Sequence, residues 1–399
     1  VLDEKYLYVG NAAFTGIGLE SLTITNPNTK LGDYAFANCS KLTTVNLPSD
    51  SKVVIGNHTF NYSTSLNQVN NLEFVKTVGD YAFANSKLQT ANISEDATYG
   101  EGAFYKSSIT VVTIGKNTSF GLGAFQNCLN LTTVNMPEEG NVHFGVACFA
   151  YDAMLAKIDL SKIGDVVEDQ TFYGCSSLKS ADLVNVKIIG EYAFSDCSTL
   201  SYVNIPVVEE IKSGAFSRYD EYKSAATFSA INLPNTLTKI YPSMFNKCES
   251  LTALTIGSGV TTIGSNAFYN HKINKLVIPD NVTSIDNNAF YSTAASSSFD
   301  SVKVGNGCTT IGPSGLAFTF KSIDIGSGIT SIGNYGIKSN TCTTIICRAT
   351  TPPTCGGSAF VNTNLTGIYV PDGSVNAYKS ASFWSMYSDK IHPLSDLPS

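Results

Sequence analysis

A repeat solenoid is the fold class that the sequence predicts, with a parallel β-sheet on one face, few helices and about 16 repeats of about 23 residues. Three observations carry this expectation. A six-residue pattern ending in Phe returns at near-constant spacing through the chain. A short alternating apolar run, often closed by Pro or Gly, comes once per return. Apolar residues, 43% of the 399, recur evenly, so one long stack replaces the two or three globules that length alone allows.

The ending pattern is clearest as LGDYAF (to Phe36), IGNHTF (Phe60), VGDYAF (Phe83), IGEYAF (Phe194), IGSNAF (Phe268) and IDNNAF (Phe290). The full ladder adds Phe14, Phe104, Phe125, Phe149, Phe172, Phe216, Phe245 and Phe360, with Leu316 and Ile337 in the same slot. The other half of each unit reads LTTVNLP (Leu42–Pro48), LTTVNMP (Leu131–Pro137), LSYVNIP (Leu200–Pro206) or INKLVIP (Ile273–Pro279). Alternating apolar, β-branched residues ended by Pro or Gly are a strand signal. One strand per unit, always in the same sense, gives a parallel stack whose repeats bury their apolar edges on one another. At about 4.8 Å per step the ladder would run roughly 70 Å.

The unit L-x-x-V-x-L-P…I-G-x-x-A-F-x-x-C resembles the BspA-like, or Treponema pallidum type, leucine-rich repeats. The likeness covers nearly the whole chain, and the tail, ATTPPT (Ala349–Thr354) then IYVPDGSVNAYKSASFWSMYSDKIHPL (Ile368–Leu394), is similar to the ends of such proteins from gut Bacteroides. The resemblance implies a leucine-rich-repeat right-handed superhelix over residues 1–365, followed by a last strand and helical cap over 366–399. It also implies a cell-surface or secreted protein, of a kind implicated in attachment to host matrix proteins, epithelium or other bacteria.

Composition narrows the partners. Charged residues are only 14%, net charge is −7, and the two arginines are Arg218 and Arg348, against a nucleic-acid surface of clustered Lys and Arg. No apolar run approaches the roughly 18 residues of a membrane span. The chain enters almost at the ladder motif, so a leader, anchor or short domain is expected ahead of Val1.

The ten cysteines invite a disulfide or metal reading, but all have repeat addresses. Cys39, Cys128, Cys175, Cys197 and Cys248 lie three residues past a ladder Phe, where other units place Ser63, Ser86, Ser107 or Thr363. A small side chain with a weak donor, tucked against backbone, suits all of these. Cys175 and Cys197 share a slot in adjacent units, yet stacked side chains run parallel and hold their Cβ atoms beyond disulfide reach. Reduced thiols are expected. No C-x-x-C pair supports a zinc site, and no cofactor motif occurs. The ladder Phe form a core spine, while Tyr34, Tyr81, Tyr192 and Tyr335, two before the ladder residue, pack along one flank. His58 and His271 fall in repeat slots and suit neither a ligand nor a general base.

Chemistry is sparse. No G-x-S-x-G elbow, Walker loop or G-x-G-x-x-G occurs, and the many I-G steps read as turn glycines. Asp159 and Asp182 share one strand slot in adjacent units, so a continuous ladder would set them about 5 Å apart, as a glycosidase pair would be; an acidic spot on a polar face is the simpler account. Outward slots of the strand face are rich in Asn, Asp and Thr, and that face is the candidate binding surface, through Asn135, Asp159, Asp182, Tyr202, Asn204 and Asn232. It turns more apolar toward Val277, Ile346 and Tyr369. A second candidate is the insert Ser217–Phe228, where Arg218, Tyr219, Asp220 and Tyr222 concentrate charge and aromatics. Ser374 is expected to N-cap a capping helix, with Tyr378 and Trp384 on its apolar side. The reading is a non-enzymatic binding or adhesion protein for a protein or matrix ligand. The alternative is a glycan-binding surface protein of a nutrient-uptake system.

Overall fold

A computed structural model describes residues 1–218, 226–293, 299–360 and 364–398 as a parallel β-solenoid of about 17 turns. The chain divides into two compact units, Val1–Tyr202 and Val203–Ser399.

Most turns carry two strands, not the single one expected. The expected strand is the three-residue segment of the L-x-x-V-x-L run, as in Thr44–Asn46, which pairs in parallel with Ser21–Thr23 and Gln68–Asn70. Its central apolar residue points inward and its flanks point out, as the pleat requires. The unforeseen strand is two residues long and ends at the Ile or Val of I-G-x-x-A-F. In the first unit these form a seven-stranded parallel ladder from Tyr8–Val9 to His143–Phe144. In the second, six such strands run from Lys239–Ile240 to Thr354–Cys355. Two-residue strands have too little alternation to show in sequence.

The I-G glycines serve close approach more than turning. A Cβ on Gly79 would sit 2.6 Å from the Asn57 backbone nitrogen in the preceding turn. The left-handed residue comes two places later. Tyr34, His58, Tyr81, Tyr192 and Tyr335, two before the ladder position, have φ between 53° and 58°, and Gly102 and Gly123 fill the same slot. Left-handed backbone costs an ordinary residue roughly 1–2 kcal/mol. It aims alternate amides at the next turn: Tyr34, Phe36 and Asn38 donate to the carbonyls of Asn57, Thr59 and Asn61 at 2.8, 2.9 and 2.8 Å. These bonds form a third ladder that makes up for the strain.

The Phe spine is as expected. Consecutive rings from Phe14 to Phe194 stack with centroids 5.1–5.8 Å apart. Phe216, Phe245, Phe268 and Phe290 continue the pattern in the second unit at 4.9–5.5 Å. The thiols fill the predicted niche: Cys39, Cys128, Cys175, Cys197 and Cys248 each donate to a ladder-Phe carbonyl one turn back, those of Phe14, Phe104, Phe149, Phe172 and Phe216, at 3.1–3.2 Å. Ser63 does the same at 3.1 Å. All ten cysteines are unbridged, nine of them buried.

The C-terminal segment holds a helix, Val375–Ser380, but Ser374 is not its side-chain cap. The Ser374 hydroxyl donates instead to the Thr350 carbonyl at 2.7 Å. Tyr378 and Trp384 are fully buried, their polar tips donating to Ala349 and Pro353 carbonyls, both at 2.9 Å. The chain then adds a further strand, Ile391–Pro393, alongside Gly367–Val370.

Candidate functional site

Outward side chains on the strand face are tied to one another. Asn46 Nδ2 donates to Thr23 Oγ1 at 3.3 Å, and Asn70 Nδ2 to Asn46 Oδ1 at 2.6 Å. Asn135, one of the expected binding residues, is exposed and donates to Thr113 Oγ1 at 3.3 Å. Such bonds along the stack hold the row in register and fix rotamers before any partner arrives.

The continuous ladder that would pair the two acids is interrupted between their strands. The four-stranded sheet of Thr90–Asn92, Val111–Thr113, Thr133–Asn135 and Lys157–Ile158 ends at that last strand, and Ser180–Asp182 is not a member. The chain leaves the sheet at Asp159, whose Oδ1 accepts from the Ser161 amide at 3.0 Å and its hydroxyl at 2.6 Å, capping the 3-10 turn Leu160–Lys162. Asp159 is therefore spent on local structure, while Asp182 sits exposed at the end of its own strand.

Tyr202 is 53% exposed, Asn204 is half-buried and Asn232 is exposed on the strand Ala230–Asn232. The more apolar character expected further along holds at Val277, 47% exposed, whereas Ile346 and Tyr369 are half-buried. The Tyr369 ring lies 5.7 Å from that of His392.

Of the insert, Tyr219, Asp220 and Tyr222 lie outside the described residues. Arg218 Nη2 reaches Glu249 Oε1 at 3.5 Å. Its far end is core: Phe228 is buried, edge-on to Phe216 and Phe245. Packing on two ladder rings could not be seen in a stretch read as a loop.

The tyrosine flank is a stack in its own right. Tyr34, His58 and Tyr81 lie near-parallel at 4.5 and 5.2 Å. His58 is covered on both faces by the two tyrosines, while Tyr34 stays 47% exposed at the end of this short stack.

The thiols are chemically quiet. Burial raises Cys128, Cys148 and Cys175, and pushes Cys248 and Cys342 up to about 12, far from a reactive thiolate at neutral pH. Among the described residues no group of three His, Cys, Asp or Glu could hold a metal ion, and no helix is long and apolar enough to cross a membrane.

One feature on the strand face had no clear sequence signal. Ala253–Thr255 pairs with Ala230–Asn232 on one side but, among the described residues, with no strand on the other, and Leu276–Ile278 begins a separate sheet. A groove of about 640 Å³ opens there, lined by Leu254, Ile256 and Val277 among others.

Two parallel ladders of short strands, an inward apolar row and one turn per repeat define the class: a leucine-rich-repeat solenoid. The BspA type leucine rich repeat region matches in six copies, over residues 1–100, 98–223, 218–319 and 294–390. The chain belongs to that family. One solved structure agrees on the fold. A leucine-rich repeat protein from Bacteroides ovatus is 22% identical, with 97% of this chain and 87% of that one covered and a TM-score of 0.56. A leucine rich cell surface protein from Faecalibacterium prausnitzii is 20% identical over 78% of this chain and 92% of that one, with a TM-score of 0.43. A leucine-rich repeat protein from Eubacterium ventriosum is 18% identical over 87% and 84%, at a TM-score of 0.37. No curated protein sequence matches the chain. The repeat is generally used for protein binding, and the family is generally non-enzymatic.

Proposed function

We propose that the chain is a non-enzymatic binding or adhesion protein, displayed at the cell surface or secreted, that takes a protein or matrix ligand on its strand face. The observation that carries this reading is the laterally bonded Thr–Asn row. Its side chains are already ordered in Thr23, Asn46 and Asn70, so a partner meets them without the usual cost of about 0.5–1.5 kcal/mol per immobilised side chain. Many weak polar contacts then sum over a repeating surface. Tyr202, half exposed on that face, is the observation that favours the glycan alternative.

The test is a binding screen of the purified chain against immobilised matrix proteins, mucin and a glycan array. Saturable binding to a protein, weakened at least about tenfold by Asn135→Lys with Asn232→Lys, is expected. Binding confined to glycans and lost with Tyr202→Ala replaces the reading with the alternative. Binding to no protein and no glycan overturns both.

A further inference from the structure

Strands on this face normally close their edges on the next turn. The amide just past each strand donates to the carbonyl of the outward residue one turn on. Ile24 donates to Asn46 at 2.9 Å, Ile93 to Thr113 at 2.8 Å, Ile114 to Asn135 at 2.9 Å and Leu233 to Thr255 at 2.9 Å. Ile256 holds the same position, and its counterpart acceptor is Val277. Pairing starts normally here, with Asn274 N–H on the Thr252 carbonyl at 2.9 Å. Beyond that bond, among the described residues, no backbone bond joins Ala253–Thr255 to Leu276–Ile278.

In the first unit, both interruptions of this face are filled by the chain itself. A 3-10 turn, Leu72–Phe74, follows Gln68–Asn70, and another, Leu160–Lys162, follows Lys157–Ile158. No helical turn follows Ala253–Thr255. The turns stay closed behind the opening: Thr262–Ile263 pairs with Ser284–Ile285, and the Phe245, Phe268 and Phe290 rings remain stacked. The result is a slot with an unpaired strand edge, an apolar lining and one charged side chain, Lys275, among its lining residues.

We propose that this slot is a strand-addition site for an extended segment of a partner protein, apolar at alternate residues and carrying an acidic residue. The segment lies along Ala253–Thr255 and offers a carbonyl to the Ile256 amide. Its inward side chains cover Leu254, an outward apolar one packs on Val277, and its carboxylate meets Lys275 on that same outward side. An unpaired edge selects an extended backbone, because only a strand presents donors and acceptors at matching intervals. Alternation follows from the two-residue period of that backbone. The acid follows from charge complementarity with Lys275. The site deepens the protein-binding reading while standing on different residues from the Thr–Asn row.

The probe is a fluorescent eight-residue peptide alternating valine and threonine with one central glutamate. Controls replace the glutamate by lysine or a central residue by proline. Expected are saturable binding by anisotropy, at least tenfold weaker binding of both controls, and slowed hydrogen exchange at the Ile256 amide. Val277→Lys, on an exposed side chain, should weaken binding at least tenfold with unchanged circular dichroism. Lys275→Glu should invert the preference between the glutamate and lysine peptides. No saturable binding up to about 1 mM, or binding indifferent to Val277→Lys and to proline, overturns the site. A matrix protein that binds both forms, with the peptide binding neither wild type nor the Val277→Lys variant, overturns the slot and leaves the strand-face reading intact. Peptide binding without any matrix partner does the reverse.

Discussion

Asp152 and His271 occupy one and the same repeat position, three residues past a ladder Phe, in the first and second units respectively. At Cys39, Ser63 and Cys128 that position holds a thiol or hydroxyl that donates to the ladder-Phe carbonyl one turn back, whereas the buried Ser86 hydroxyl has no partner. Both replacements are buried, and they solve the niche differently. His271 is satisfied at both nitrogens: Nε2 lies 3.2 Å from the Phe290 carbonyl, and Nδ1 accepts from the Ile273 amide at 3.0 Å. Asp152 is satisfied at one atom only. Its Oδ1 accepts from the Cys128 amide at 2.7 Å, while Oδ2 is buried without a partner. Turn length explains the contrast. Leu155 follows Asp152 by three residues and bonds its backbone carbonyl at 2.9 Å, as Leu131 does with Cys128. Ile273 follows His271 by only two, and the imidazole takes over the acceptor role of the missing backbone reach. The same slot thus tolerates a titratable group where it replaces a lost backbone bond, and pays for one where it does not.

The largest effect expected from breaking this comparison is at His271. His271→Ala leaves a cavity and strands both the Ile273 amide and the Phe290 carbonyl, so a loss of about 3–5 kcal/mol is expected in denaturant unfolding. His271→Asn, which can still accept from Ile273, should lose less. Equal losses from the two variants would show that ring volume, and not the substituted acceptor, is what the shortened turn needs.

Next in size is the pH dependence of that residue. Burial holds His271 down to about 4, against 6.5 when free. Its folded value is depressed, so its stabilisation is complete above 6.5 and is lost as pH falls toward 4. The full span amounts to about 3 kcal/mol. Unfolding midpoints measured between pH 7 and 4 should fall in the wild type, and fall less in His271→Asn. Parallel profiles would place the acid sensitivity elsewhere.

What was legible in the sequence tracks what repeats. The Phe spine, the thiol niche and the inward strand residue each recur at fixed spacing, so alignment of the units gives their roles. The second strand, two residues long, and the left-handed slot carried by Tyr34 and His58 have no such pattern of type, because backbone hydrogen bonding and not side-chain chemistry selects them. The binding face was legible as a row of outward polar residues. Its interruptions were not: Asp159 was placed in the ladder by its strand motif, although the serine two residues on turns it into a cap. The opening beside Val277 depends on a strand pairing that fails after its first bond, which composition cannot show. Asp152 shares its column address with Cys128 and Cys175, and reading that column down every turn would have singled it out.

Asp152 sharpens the comparison from the opposite direction. Desolvation raises its carboxyl well above 3.8, with the thiols of Cys128, Cys148 and Cys175 as its titratable neighbours. A raised folded value means that its favourable contribution is complete below 3.8 and is lost as pH rises toward the folded value. Asp152→Asn keeps the acceptor for Cys128 and removes the buried acid, so a gain of about 1–3 kcal/mol is expected at pH 7, with little gain at pH 4. A gain equal at both pH values would mean that the orphaned oxygen, and not its charge, is the burden.

The smallest effect belongs to the thiol next in the column. Cys175→Ser keeps a donor to the Phe149 carbonyl, as Ser63 shows for Phe36, and should stay within about 1 kcal/mol of wild type. Cys175→Val keeps the bulk but strands that carbonyl, at a cost of about 1–2 kcal/mol. The order serine above valine is the informative result, because it separates hydrogen bonding from apolar packing in a niche where both are present. If valine proves the better replacement, the column is held by packing alone. The imidazole of His271 would then be tolerated for its volume, and its two hydrogen bonds would be incidental.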